Sequence, residues 1–162
     1  MRTCAMISGK DDNDTICVDM LTNIISVLYN DFGVRKILSG VHKGKELLAL
    51  DYLLSQKRKY PKLKIHGVFT HEEEANLWDE SDRERLYHAI RFCDEEWILK
   101  PIYGSEMRFQ RNIVMMDRSD LVFLLNRDQE IEFWASKLKK PIFKIDIDNR
   151  KIIPDIHLFR EN

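Results

Sequence analysis

An α/β sandwich, with a mainly parallel sheet of about six strands between two helical layers, is the fold class this sequence predicts. Three observations predict it. Short runs rich in Val, Ile and Phe alternate about five times with longer segments of helical period. The run "LVFLL" at 121–125 is continuously apolar, as expected of a strand covered on both faces. The chain has 162 residues, 44% of them hydrophobic, which suits one globular domain over 1–162 with a full core. Helices on both faces of a parallel sheet make the arrangement Rossmann-like and three-layered.

The elements follow in order. "TCAMIS" (3–8) reads as a first strand ending at Gly9. Ile16, Met20, Ile24, Val27 and Leu28 then share one helical face, and Gly33 stops that helix. "VRKILS" (34–39) is a second strand, followed by a glycine turn and a helix from about His42 to Lys59 with Leu47, Leu50, Leu53 and Leu54 inward. "LKIHGVFT" (63–70) is a third strand. An acidic loop precedes a helix over 81–94, where Ser81 and Glu84 have the spacing of a capping box. "EEWILKPI" (95–102) is a fourth strand, and a helix capped by Ser105 runs to Asp120 with Phe109, Ile113 and Met116 toward the core. "LVFLLN" (121–126) is a fifth strand, 128–139 a helix, and "KPIFKIDI" (140–147) a sixth strand. An edge strand over 151–159 would tolerate Pro154.

Charge and composition exclude several classes. Net charge is −1, so no overall field draws the chain to nucleic acid or anionic lipid, and neither nucleic acid nor a membrane is an expected partner. No apolar run approaches the ~20 residues of a membrane span, and "MRTCAMISGKDDND" turns acidic before a signal-peptide core could form. A cytoplasmic location follows as the expectation. Cys4, Cys17 and Cys93 have no metal-ligand or redox spacing and read as reduced, packed thiols. No pair of histidines has ligand spacing, so no metal site is expected; His66 and His88 read as packed side chains.

Ligands of an open parallel sheet gather at the carboxyl ends of its strands. Four segments should meet there: Ser8-Gly9-Lys10, Ser39-Gly40 through Glu46, Thr70-His71-Glu72, and Asn126-Arg127-Asp128. In "SGVHKGKE" (39–46), Gly40 and Gly44 bracket Val41, His42 and Lys43 just before a helix start, where backbone N–H groups and the helix dipole favour an anion. Lys43 and Lys45 would oppose that dipole unless a phosphate were bound, although Glu46 could equally offset them. The spacing is not that of a Walker A loop, and GxGxxG is absent. Arg108, Arg111, Met115 and Arg118 form a second stripe on the helix ending at Asp120, suited either to carboxylate or phosphate recognition or to a solvated face. Arg111-Asn112 is a polar pair among apolar neighbours. Trp78, in an irregular segment, could stack on a base.

Gly40-x-x-x-Gly44-x-Glu46, Trp78, and Gln110-Arg111-Asn112 with Met116 and Ser119-Asp120 occur in the order and spacing that resemble the YpsA-type branch of the SLOG superfamily. These Rossmann-like proteins are related to DprA/Smf and to LOG phosphoribohydrolases, and the likeness covers roughly residues 3–145. The resemblance implies a nucleotide or nucleotide-derived ligand, with the glycine turn (Gly40, Val41, His42, Lys43, Gly44) at a phosphate and Ser8, Gly9, Glu46, Trp78, Arg111 and Asn112 beside it. It also raises homodimerisation, which no apolar stripe in the sequence demands. LOG enzymes carry a PGGxGT loop and a glutamate after the strand that matches "LVFLL"; here "NRDQEIEFWASKL" has no glycine. Glu130, Glu132 and Arg111 remain the catalytic candidates. The expected function is a nucleotide-binding sensor or regulator needing no cofactor, against two alternatives: a nucleoside-phosphate N-glycosidase and a non-enzymatic interaction protein.

Overall fold

The computed structural model describes residues 1–10, 15–71, 73–99 and 106–154. Strands β1 (Arg2–Ile7), β2 (Val34–Gly40), β3 (Lys64–Phe69), β4 (Glu95–Ile98), β5 (Leu121–Leu124), β6 (Ile142–Asp146) and β7 (Lys151–Ile153) form one sheet in the order β4-β3-β2-β1-β5-β6-β7. All neighbouring pairs are parallel except β6 and β7, which run antiparallel. Helices α1 (Val18–Asn30), α2 (Lys45–Ser55), α3 (Glu80–Phe92), α4 (Met107–Asp117) and α5 (Gln129–Lys137) cover it. The architecture is therefore the expected Rossmann-like three-layer sandwich, with seven strands among the described residues instead of about six.

β1 shows why both layers are needed. Its Cys4 and Met6 join a core with α1, α2 and α3, while Ala5 and Ile7 join a second core with α4 and α5. Side chains alternate across a strand, so a central strand with two apolar faces must be covered twice. Cys4 is buried, Cys17 and Cys93 are half-buried, and all three are free thiols. Burial pushes the Cys93 thiol up to about 11. Among the described residues no helix is long and apolar enough to cross a membrane.

Several boundaries differ from expectation. The second helix begins at Lys45, after Gly44 takes φ 98 and ψ −140, and yields after Ser55 to a 3₁₀ turn at Lys57–Lys59. Gly44 sits where an L-residue would be strained, so the backbone itself demands glycine. Asp79, two residues before Ser81, caps α3 by accepting the Asp82 N–H at 2.8 Å. The Ser105 cap lies outside the described residues, as does most of the expected edge strand beyond Pro154. The largest departure is α4, whose buried residues are Arg111, Asn112, Met115 and Met116; Phe109 and Ile113 are only half-buried.

Candidate functional site

The order of strands reverses at β1, which has β2 on one side and β5 on the other. Loops leaving the carboxyl ends of such a pair part in opposite directions and open a crevice. Here the two loops are tied across its base. The Gly9 N–H donates to Asn126 Oδ1 at 2.6 Å, and the Lys10 N–H donates to Asp128 Oδ2 at 2.9 Å. Asp128 Oδ1 meanwhile caps α5, accepting from the N–H groups of Glu130 and Ile131. A β-carbon at Gly9 would lie 2.7 Å from Cβ of Asp128, so glycine is what lets the loops close together. The crevice above holds about 180 Å³; Ser8, Lys10, Arg108, Asn112 and Glu130 line it, with Phe109 at one side.

Beneath it lies a buried ion pair. Glu46 reaches back from the first turn of α2, and Arg111 meets it from α4, each side chain with no exposed surface. The guanidinium donates from Nη1 and Nη2 to the two carboxylate oxygens at 2.8 and 2.6 Å. The same carboxylate accepts the N–H of Ser8 at 3.2 Å and of His42 at 3.1 Å. Asn112 Oδ1 accepts from Arg111 Nε and Nη2, fixing the plane of the guanidinium. Burial alone would raise the Glu46 pKa, but the guanidinium groups of Arg111 and Arg108 and the Ser8 N–H outweigh it and hold the carboxyl below its ordinary value.

This pair corrects the expectation of a bare-amide cradle above β2. Two of the amides that would face a phosphate, those of Ser8 and His42, are already bonded to the protein's own carboxylate. Gly40 makes room for that carboxylate: a β-carbon there would stand 2.2 Å from Glu46 Oε2. Arg111 and Glu46 thus form a buried pair behind Ser8 and Asn112, which line the crevice. Val41 is fully buried in the α1–α3 core. His42 lies 3.5 Å from Glu74 through Nδ1 and meets Trp78 edge-on, with ring centroids 5.7 Å apart. Trp78 is only 8% exposed and packs in that core, so it does not present the stacking face expected of it. Lys43 is exposed and Gly44 half-buried at the outer lip.

Of the acidic candidates, Glu130 lines the crevice and pairs with Lys10 at 2.6 Å. Glu132, two residues on, does not line it and is engaged by Lys144. Arg108, read from the sequence as one of the α4 arginine stripe suited to phosphate or to a solvated face but not placed among the ligand contacts, does line the crevice. Its Nη2 donates to Ser8 Oγ at 2.7 Å and stands 3.7 Å from Glu46, and its side chain is 28% exposed. The signal was present in its position three residues before Arg111, one turn nearer the rim. A second, more apolar cavity of about 490 Å³ adjoins along α4, lined in part by Thr70, Leu99, Phe109, Val114 and Trp134. Phe109 lines both spaces.

The model of the YspA SLOG family matches residues 5–150. Among solved structures, DNA processing protein A from Helicobacter pylori is similar in fold, with a TM-score of 0.56 and 15% sequence identity. The match covers 90% of this chain but 65% of that one, so the chain spans less than two thirds of its neighbour's length. That protein binds single-stranded DNA. No curated protein is significantly similar to this chain in sequence. The neighbour corrects the expectation that nucleic acid is not a partner. That expectation rested on net charge, an average that does not say where the charges lie.

Proposed function

Because this chain belongs to the YspA SLOG family, we propose that it binds a nucleotide or nucleotide-derived ligand in the crevice between the β1 and β5 loops and acts as a sensor or regulator, without turnover. The observation that carries this reading is Arg108. Its guanidinium lines the crevice at the strand-order reversal, held by Ser8 and by the charge of Glu46 behind it. A planar fork in that position suits bidentate contact with a phosphate. Arg111, neutralised by Glu46, instead contributes to the wall of the adjoining apolar cavity. The apolar space beyond Phe109 is the natural place for a base or another flat group.

Glu130 favours a second reading, N-glycosidase action, because a carboxylate in the crevice could stabilise positive charge on a departing sugar. One experiment addresses both. The purified chain is titrated with AMP and ADP-ribose while its melting temperature and the release of free base are followed. The sensor reading expects a rise in melting temperature with no product, abolished by Arg108→Ala. Base release that disappears in Glu130→Gln would establish the enzyme instead. The absence of both a thermal shift and base release with AMP and ADP-ribose would sink both.

A further inference from the structure

Resting on the nucleotide reading, we infer that Gln110 selects the ligand's base: its side-chain amide reads the hydrogen-bonding edge of a heterocycle seated in the apolar cavity beyond Phe109. Successive residues of an α-helix step about 100° around its axis. In α4 that step carries the chain from one space to the other. Arg108 lines the crevice, Phe109 lines both spaces, and Gln110 lines the cavity. The guanidinium assigned to the phosphate and the amide assigned to the base are thus neighbours but one, with a phenyl ring as the partition between them.

The crevice alone is too small for a nucleotide. Small-molecule sites run from about 300 to 1,000 Å³, and the crevice holds about 180 Å³. A ligand with its phosphate at Arg108 must therefore extend past Phe109 into the adjoining 490 Å³. Leu99, Phe109, Ile113, Val114 and Trp134 wall that space, an apolar lining suited to a flat ring. Phe109 and Phe133 meet the Trp134 ring edge-on, with centroids 5.9 and 5.6 Å away, and these contacts fix the plane of the indole.

Among the described residues the polar side chains of this cavity are Thr70, Gln110, Arg111 and Arg118. Three of them are engaged. Thr70 Oγ1 shares a hydrogen bond with His71 Nδ1 at 2.7 Å. Arg111 is fully buried and divided between Glu46 and Asn112. The Arg118 guanidinium lies over the Trp97 ring, 5.5 Å from its centroid. Gln110 is half-buried, and its amide has no hydrogen-bond partner among the described residues. Glutamine is common on solvated helix faces; here the apolar walls around it remove part of its water, and a base edge replaces what they remove. An amide sets a donor beside an acceptor. That arrangement matches a base edge on which acceptor and donor also stand side by side, as on adenine.

The test is calorimetric titration of the whole chain with AMP, GMP, CMP and UMP, and with ribose 5-phosphate, which has the sugar and phosphate but no base. The four nucleotides should differ in affinity, the best of them binding more tightly than ribose 5-phosphate. Gln110→Leu should weaken that best nucleotide by roughly three- to tenfold, the size of one hydrogen bond's contribution, and bring the four closer together. Ribose 5-phosphate should be unaffected. The inference is overturned if the variant weakens all the compounds alike, if it weakens none, or if the base makes no difference to the unaltered chain; a phosphate site at Arg108 survives each of these results. If none of the compounds binds, the nucleotide reading itself fails, and this inference with it.

Discussion

Glu46 takes up what a ligand would otherwise use: two backbone amides and an arginine. A buried pair of this kind gives little net stability against an apolar replacement, but removing one partner strands a charge. Arg111→Met should therefore destabilise the fold by about 3–5 kcal/mol in urea unfolding, and adding Glu46→Leu should recover part of that loss. Gly40→Ala forces a methyl onto a carboxylate held at four points and should also destabilise. The pH dependence has a definite sign. The folded Glu46 carboxyl titrates below its ordinary value of 4.5, so its contribution is complete above that pH and is lost as pH falls through the lower folded value. His66 acts in the same direction at higher pH. Burial, with Lys36 and Lys64 adding to it against Glu95, lowers its pKa from 6.5, so stability is lost as pH falls below that value. Acid unfolding followed by circular dichroism should show both components, with the upper one absent in His66→Phe.

At the scale of elements, caps and loop ties decide how the crevice is held. Asp128 serves three amides, two at the start of α5 and one in the β1 loop. Asp128→Ala should cost about 1–2 kcal/mol through the cap, and it should also weaken nucleotide binding by loosening Lys10. Ser81→Ala, by contrast, should change stability by less than about 0.5 kcal/mol, since Asp79 is the cap of α3 and Ser81 is exposed. Chemical denaturation of the two variants side by side checks both statements.

For the whole molecule, the crevice at the carboxyl ends of the strands is the place where a bound ligand would couple to folding. Ligand bound only by the folded state at about a hundred times its dissociation constant adds about 2.7 kcal/mol. In a chain of this size that is a rise of about 2–4 °C per kcal/mol, readable by calorimetry. If nucleotide binds only the folded chain, the rise should grow with the logarithm of its concentration and vanish in Arg108→Ala.

Alternation of apolar runs and helical periods was enough to define the layers, because strand and helix periodicities are local properties of the chain. Rim segments were equally legible: Ser8-Gly9-Lys10 and Asn126 through Asp128 do meet, as glycine and polar residues at strand ends suggested. Which cation lines the crevice was not. Arg108 and Arg111 differ in sequence by one helical turn and in the structure by whether a carboxylate from α2 neutralises them completely. Trp78 was misjudged for a related reason, since its burial depends on His42 and the core around it. The clustering of Lys36 with Lys64 likewise required strand register. Sequence alone determined the elements, the layers and the rim, because these follow from patterns along the chain. Only the tertiary structure decided that Glu46 and Arg111 cancel while Arg108 lines the crevice, because pairing depends on distances between segments 65 residues apart.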